Sequence, residues 1–194
     1  MTIPLEITDL SKTYDTKEAV RNISFKVNEN EIIGILGPNG CGKTTTIGMI
    51  LGLLKPTKGK VLINGIEIEK QRVELLNELN FISPYIELPK KLTVKQSLEV
   101  YGRLYDVKEL GIKIDYLCEK LRLNEFINKI TGELSSGQKN RVSLAKSIIN
   151  DPSVLLLDEP TASLDPETGD FVRSFLEEYQ KEKKTSNKIT CFRI

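Results

Sequence analysis

The stretch EIIGILGPNGCGKTT, Glu31–Thr45, decides the fold of this chain. It begins with a mostly apolar run, EIIGIL at Glu31–Leu36, which is typical of a buried strand in a parallel sheet. The next residues, GPNGCGKT, match the pattern G-x-x-x-x-G-K-[ST], and the segment Lys43–Leu54 has a helical pattern. A glycine-rich turn between a strand and a helix lets backbone N–H groups surround phosphate oxygens. The stretch therefore predicts a phosphate-binding loop (P-loop).

The residue types in the P-loop predict how it binds a nucleotide. Lys43 can reach the β- and γ-phosphates, and the Thr44 hydroxyl can ligate Mg²⁺. Alkylation of the Cys41 thiol, inside the loop, is expected to block nucleotide binding by bulk. The loop alone leaves kinases, GTPases and many ATPases open. The predicted nucleotide-binding residues of this stretch are Gly37, Asn39, Gly40, Cys41, Gly42, Lys43, Thr44 and Thr45.

A second motif, VLLLDEP at Val154–Pro160, places two acidic residues after an apolar strand. In open α/β sheets, ligands bind at the carboxyl ends of the strands. Asp158 is therefore predicted to hold Mg²⁺ through water, and Glu159 to orient or deprotonate an attacking water. We interpret Glu159 and Lys43 as the catalytic residues.

The remaining pattern predicts an α/β fold of the P-loop NTPase (RecA-like) type. LEI, ISFKV and VLINGIEI read as strands of one antiparallel N-terminal subdomain, the last with an Asn64-Gly65 hairpin turn. LNFIS and SVLLLD read as buried strands, and the region between them as an inserted helical lobe at about residues 86–139 of a single domain spanning 1–194. A last helix and strand are expected at Pro166–Lys184 and Lys188–Phe192. The expected core residues of the lobe are Leu98, Tyr101, Leu104, Tyr105, Leu117 and Leu121.

Composition restricts the function classes. The 28 Lys+Arg nearly balance the 27 Asp+Glu, so nucleic acid is not expected as a main partner. The three cysteines are scattered without a CxxC pair, which favours a reducing cytoplasm over a disulfide framework. There is no histidine, which excludes imidazole catalysis by this chain. The apolar runs are too short to span a bilayer, so any membrane-spanning partner is expected to be a separate chain.

A second predicted anion site lies far from the P-loop. The stretch ELSSGQKNRVSLAKSII, Glu133–Ile149, is a Ser/Gly turn that leads into an amphipathic helix. The first N–H groups of a helix lack intrahelical partners and favour negative charge. One chain thus carries two candidate phosphate sites, which raises the question of why it needs both.

These motifs together resemble the nucleotide-binding domain of ATP-binding cassette (ABC) proteins. GPNGCGKTT, LSSGQ at Leu134–Gln138, LLLDEPT at Leu155–Thr161 and SLDP at Ser163–Pro166 occur in the family's order. The resemblance implies ATP and Mg²⁺ as cofactors and a head-to-tail dimer, in which the LSSGQ turn of one cassette caps the ATP on the partner's P-loop. It also implies that Tyr14 stacks on adenine and that Asp165 lies in a loop at the dimer interface. The residues implied to contact the partner's ATP are Ser135, Ser136, Gly137 and Gln138.

Three departures from the family pattern are visible. Ser136 stands where the family most often has glycine, and its Cβ is expected to restrict φ or to crowd the partner's phosphate. The family's Gln before the helical lobe is missing, and Pro84 or Tyr85 occupies its place. The tail NKITCFRI ends where the family's switch histidine follows, so we expect slow ATP turnover.

The resemblance implies the ATPase subunit of a membrane transporter, similar to cassettes of bacterial exporters. Such a subunit works with a second cassette, as a homodimer, and with a separate transmembrane permease. It would be cytoplasmic and held at the inner face of the cell membrane through that permease. Two alternatives stay open: a cassette that binds ATP with little or no hydrolysis, and a soluble ABC ATPase acting on ribosomes or DNA.

Overall fold

The computed structural model describes residues 3–83, 87–158, 164–183 and 190–193. These residues form two sheets and six α-helices, with short 3₁₀ turns at Asn124–Phe126 and Thr131–Glu133. The elements are β1 Leu5–Tyr14, β2 Lys17–Val27, β3 Ile32–Gly34, α1 Lys43–Ile50, β4 Lys58–Ile63, β5 Ile66–Glu67, α2 Arg72–Leu76, β6 Leu79–Ile82, α3 Val94–Leu104, α4 Leu110–Lys120, α5 Ser136–Ser147, β7 Val154–Leu157, α6 Pro166–Lys183 and β8 Thr190–Arg193.

The first sheet is antiparallel and has the strand order β2-β1-β4-β5. Its β4–β5 hairpin turns at Asn64 and Gly65, whose φ angles are 50° and 80°. Positive φ at both central residues suits the turn type that matches the twist of a hairpin. The N-terminal antiparallel subdomain predicted from the sequence is therefore confirmed.

The second sheet is parallel and has the order β3-β8-β7-β6. Because its strands run in one direction, their carboxyl ends meet at one edge of the sheet. The P-loop follows β3 and Asp158 follows β7, so both motifs leave the sheet at this edge. The topology thus gathers the two predicted phosphate and metal motifs on one side of the core.

Strand β7 divides two hydrophobic cores. All four of its residues are buried, as the sequence predicts. Val154 and Leu156 pack with the antiparallel sheet and α1, while Leu155 and Leu157 pack with the helical region and α6. Alternation of side chains along a strand explains this division.

The strand predicted before the P-loop is present, but the prediction that it is buried is wrong. Strand β3 exists, but Ile32 is 44% exposed and Leu36 is 94% exposed. Within the described part of the chain, β3 pairs with β8 alone and forms an edge of the sheet. Ile33 and Ile35 pack partly against the core, so the side chains that alternate with them, Ile32 and Leu36, lie on an uncovered face.

The helical region between β6 and β7 contains α3, α4 and α5. Helix α3 begins with a capping box between Thr93 and Gln96, and its Leu98 is fully buried. Of the expected core residues, Leu117 and Leu121 are buried and Tyr101 and Tyr105 pack partly against the core. Leu104 is a correction, because it lies on the outer face of α3 with 72% exposure.

Helix α1 ends four residues earlier than predicted, at Ile50 rather than Leu54. Gly52 adopts φ 63°, its N–H donates to the Met49 carbonyl, and the Leu53 N–H donates to the Gly48 carbonyl. This pair of bonds forms a Schellman ending, in which a left-handed glycine stops the helix. The apolar residues Leu53 and Leu54, which follow Gly52, continue the helical pattern in the sequence and account for the longer prediction.

Candidate nucleotide-binding site

The P-loop is shaped by glycines with left-handed backbone angles. Gly40 has φ 81°, and Gly42, the N-cap of α1, has φ 97°. A Cβ on Gly42 would lie 2.3 Å from the carbonyl oxygen of Ala19 in β2. Gly42 is therefore required both for its backbone angle and for the close packing of the loop against the antiparallel sheet.

The lysine of the P-loop is held across the loop. Lys43 Nζ donates to the carbonyl oxygens of Gly37, at 2.7 Å, and Pro38, at 3.2 Å. The segment 37–41, including Asn39, Gly40 and Cys41, is exposed. An ammonium group held over an exposed turn can exchange these carbonyls for phosphate oxygens, which bind it as charged acceptors.

The threonines after the lysine differ in their surroundings. Thr44 is exposed and Thr45 is half-buried. Thr46 is buried, and its hydroxyl donates to the Gly42 carbonyl at 2.9 Å. Thr44 is therefore the most solvent-exposed of these three threonines.

The metal motif is built at the adjacent ends of two parallel strands. Asp158 is 7% exposed, and its N–H donates to the Ile82 carbonyl at 2.9 Å. The Ser83 hydroxyl, also buried, donates to Asp158 Oδ2 at 3.2 Å. This bond helps to offset the cost of burying a carboxylate. Carboxylate oxygens and a threonine hydroxyl are donors that Mg²⁺ accepts, so Asp158 and Thr44 fit this ion.

Ser83 was missed by the sequence analysis. A signal for it exists, because Ser83 follows β6 as Asp158 follows β7, and Ile82 pairs with Leu157. Two other predicted features, Glu159 and the Pro84–Tyr85 segment, lie outside the described residues.

The second predicted anion site begins α5 with a complete capping box. The Ser135 hydroxyl accepts from the Gln138 N–H at 3.2 Å, and the Gln138 side chain accepts from the Ser135 N–H at 3.1 Å. Ser136 is the exposed first residue of the helix, and its φ is negative. Serine adopts this backbone angle without strain, so the Cβ of Ser136 is compatible with the start of α5.

Asp165 precedes α6 and caps its first turn. Its carboxylate accepts the Thr168 N–H at 2.9 Å and the Thr168 hydroxyl at 2.7 Å. The Thr168 backbone N–H, and then its hydroxyl, hold the pKa of Asp165 below its usual range. The carboxylate is therefore kept ionised and pointed at its own helix.

Tyr14 ends β1, and its ring is 44% exposed. Lys12 Nζ lies 5.0 Å from the ring centroid and donates to the Lys55 carbonyl at 2.8 Å. A cation over one ring face is a favourable contact. A base stacking on Tyr14 would therefore use the opposite face.

The structure thus assembles three separate groups: the P-loop with Lys43, the Ser83–Asp158 pair, and the α5 start with the Asp165 turn. In the part of the chain that the structure describes, no hydrogen bond or ion pair joins the P-loop to the LSSGQ turn. A parallel sheet whose strands lead into a P-loop and a buried Asp defines a P-loop nucleoside triphosphatase.

Comparisons with known proteins narrow this class. A family model described as "ABC transporter" matches residues 20–162. The ABC transporter ATP-binding protein NatA of Bacillus subtilis is 32% identical over 188 residues, which cover 93% of this chain and 76% of NatA. The Nod factor export ATP-binding protein I of Rhizobium etli is 37% identical over 164 residues, 84% of this chain and 52% of that protein. The chain therefore spans about half the length of the Nod factor relatives.

Solved structures agree with these relatives. The ATP-binding subunit of an ABC transporter superposes with a TM-score of 0.86 at 26% identity, covering 99% of this chain and 79% of that one. A dimeric ATP-binding cassette in a post-hydrolysis state with ADP and Pi gives 0.84 at 25% identity, covering 97% and 87%. The chain belongs to the ABC transporter family. Its α/β P-loop fold is that of the ATP-binding cassette, and its enzymatic class is ATPase.

One finding bears on the membrane. Among the described residues, the structure contains no helix with the length and apolar character needed to cross a bilayer.

Proposed function

We propose that this chain is the ATP-hydrolysing subunit of an ABC exporter and works as a head-to-tail dimer of cassettes. The observation that carries the proposal is the pair of half-sites on one chain, an exposed P-loop and a capped LSSGQ turn, which no hydrogen bond joins among the described residues. Two copies facing each other would complete two sites. The dimeric cassette with ADP and Pi, to which this chain is similar, supports that arrangement.

The proposed roles rest on the positions of these residues in the motifs and on the family resemblance. Lys43 and the loop of Gly37, Asn39, Gly40, Cys41, Gly42 and Thr45 hold the phosphates of ATP, and Tyr14 stacks on adenine. Thr44 and Asp158 hold Mg²⁺, which neutralises charge on the phosphates and fixes their orientation. Glu159, which follows Asp158 directly, orients or deprotonates the attacking water.

The remaining roles belong to the partner-facing side. Ser135, Ser136, Gly137 and Gln138 complete the partner's ATP site, and Asp165 lies in the loop at the interface. A separate transmembrane permease carries the substrate and holds the cassette at the cytoplasmic face of the membrane. The similarity to the Nod factor export ATP-binding proteins supports the export direction. We also propose that residues 1–194 form one domain, with the helical lobe inserted at about 86–139.

The test uses Glu159→Gln, which keeps the side chain's shape and removes the carboxylate that handles water. We expect this variant to bind ATP and to accumulate as a nucleotide-bound dimer in light scattering with MgATP. Lys43→Ala is the matched control, and in the Glu159→Gln background it should stay monomeric. A Glu159→Gln chain that binds ATP and remains monomeric at all concentrations would contradict the head-to-tail mechanism.

A further inference from the structure

Thr168, in the first turn of α6, has a buried side chain with two different neighbours. It is 8% exposed although it is polar. Its hydroxyl donates to Asp165 Oδ2 at 2.7 Å, and its N–H donates to Asp165 Oδ1 at 2.9 Å. The Asp165 carbonyl also accepts the Gly169 N–H at 2.9 Å. These bonds tie the Asp165 loop to the first turn of α6.

The other side of Thr168 faces the LSSGQ turn. A Cβ built on Gly137 would lie 3.2 Å from Thr168 Oγ1 and 3.4 Å from its Cγ2. These distances place the backbone of α5 directly against the Thr168 side chain, with room for a glycine and little more. Gly137 is therefore needed for packing within the chain, apart from any contact with a phosphate.

The two neighbours need different parts of the threonine. The carboxylate of Asp165 needs a hydroxyl donor, which serine would keep and valine would lose. The Gly137 backbone faces both branches of the side chain, and valine would keep that shape. Threonine alone among these three supplies the donor and the full branched contact.

We propose that Thr168 is a positioning residue that fixes the Asp165 loop and the LSSGQ turn as one rigid unit facing the partner cassette. The proposal rests on the head-to-tail dimer described above, in which both segments meet the partner. The capping box at Ser135 and Gln138 stiffens one end of this unit, and the Asp165 cap stiffens the other. Segments ordered before binding lose less conformational entropy when the dimer forms.

The experiment measures ATP-dependent dimerisation in the Glu159→Gln background by analytical ultracentrifugation with MgATP. Two variants separate the two contacts, Thr168→Val without the hydroxyl and Thr168→Ser without the methyl group. Ser174→Ala, at an exposed position on the same helix, is the matched control. Nucleotide affinity of each monomer is measured with a fluorescent ATP analogue.

We expect Thr168→Val to weaken dimerisation about tenfold or more, since without the hydroxyl bond the Asp165 loop keeps conformational freedom that each subunit must then lose when the dimer forms. Thr168→Ser should restore most of that loss, and Ser174→Ala should behave like the parent. Monomer affinity for ATP should not change in any variant, because Thr168 does not touch the P-loop group. The carboxyl ¹³C titration of Asp165 should shift to a higher pKa in Thr168→Val alone.

The outcomes separate this proposal from the dimer on which it rests. If the Glu159→Gln parent does not dimerise with ATP, the proposed function fails. If the parent dimerises and Thr168→Val dimerises equally well, the positioning role of Thr168 is wrong. A Thr168→Ser chain that dimerises as weakly as Thr168→Val also overturns it, because the hydroxyl bond would then not be enough to order the Asp165 loop.

Discussion

The starts of helices α1 and α5 are built in opposite ways. Helix α1 begins at a left-handed glycine, Gly42, and no side chain caps it. Helix α5 begins at Ser135, which exchanges hydrogen bonds with Gln138 in a capping box. Both starts contain a glycine, and both are predicted from the sequence as anion sites.

The difference separates a binding site from a rigid surface. At α1 no side chain competes for the first N–H groups, so a phosphate can take them. At α5 the Ser135 and Gln138 side chains accept hydrogen bonds from N–H groups of the first turn. This fixes the shape of the turn and leaves fewer N–H donors for an anion. The P-loop can thus hold a nucleotide within one chain, whereas the α5 start is suited to complete a site that another chain has already formed.

The strongest test of this comparison removes the charge at the P-loop. Lys43→Ala should lower ATP affinity by about 3 kcal/mol, or ~100-fold, because it removes a charged donor to the β- and γ-phosphates. Gln138→Ala, at the α5 start, should leave the affinity of the isolated chain unchanged. Isothermal titration calorimetry with MgATP measures both. Equal affinities for the two variants would erase the distinction between the two helix starts.

The shape of the P-loop gives the next largest effect. Gly42→Ala should reduce the free energy of unfolding by about 2–3 kcal/mol. The new Cβ would collide with the Ala19 carbonyl, and the alanine would have to adopt a left-handed backbone angle. Gly40→Ala has the same kind of angle but open space around it, and should cost about 1 kcal/mol. Urea denaturation compares them, and a Gly40→Ala chain as unstable as Gly42→Ala would mean that packing against β2 is unimportant.

The exposed thiol of Cys41 reports on occupancy of the P-loop. With MgATP at ten times its dissociation constant, about nine chains in ten hold nucleotide. Alkylation of Cys41 should therefore slow about tenfold. Buried Cys118 is the internal control and should stay unmodified in the folded chain. Peptide-resolved mass spectrometry gives both rates. An alkylation rate of Cys41 that is the same with and without MgATP would mean that the phosphates do not bind at this loop.

The smallest effect is expected at the α5 cap. Ser135→Ala should lower stability by about 1 kcal/mol, the usual value of an N-cap serine, while monomer affinity for ATP stays constant. Ser174→Ala, inside α6 and exposed, is the control and should change stability little. Thermal unfolding with and without MgATP tests both statements. A change in ATP affinity would argue that α5 acts within its own chain.

Much of the core was predictable because the signals were local. The VLLL run of β7, the Asn64-Gly65 turn and the SSGQ cap each specify their structure within a few residues. Features that depend on distant neighbours were not predictable in the same way. The apolar residues of β3 suggested burial, but the strand lies at an edge, and Leu104 fits the apolar pattern of α3 while facing outward.

The site shows the same limit. Motif spacing identified Lys43, Thr44 and Asp158, since strand and helix positions follow from the sequence pattern. Ser83 and Thr168 carry no motif of their own. They matter because the register between β6 and β7 and the packing of α6 on α5 place them beside Asp158 and Gly137. Such contacts arise between residues 75 or 31 positions apart, which no local pattern encodes.

The pairing of β3 has a consequence for how the chain folds while it is being synthesised. In the described chain, its sheet partner is β8, at Thr190–Arg193. A ribosome adds roughly 5–20 residues per second, so β3 waits on the order of ten seconds for this partner. During that interval the antiparallel sheet, which is complete by Glu67, can already fold. Strand β3, which leads into the P-loop, would thus be among the last parts of the nascent chain to gain its sheet partner.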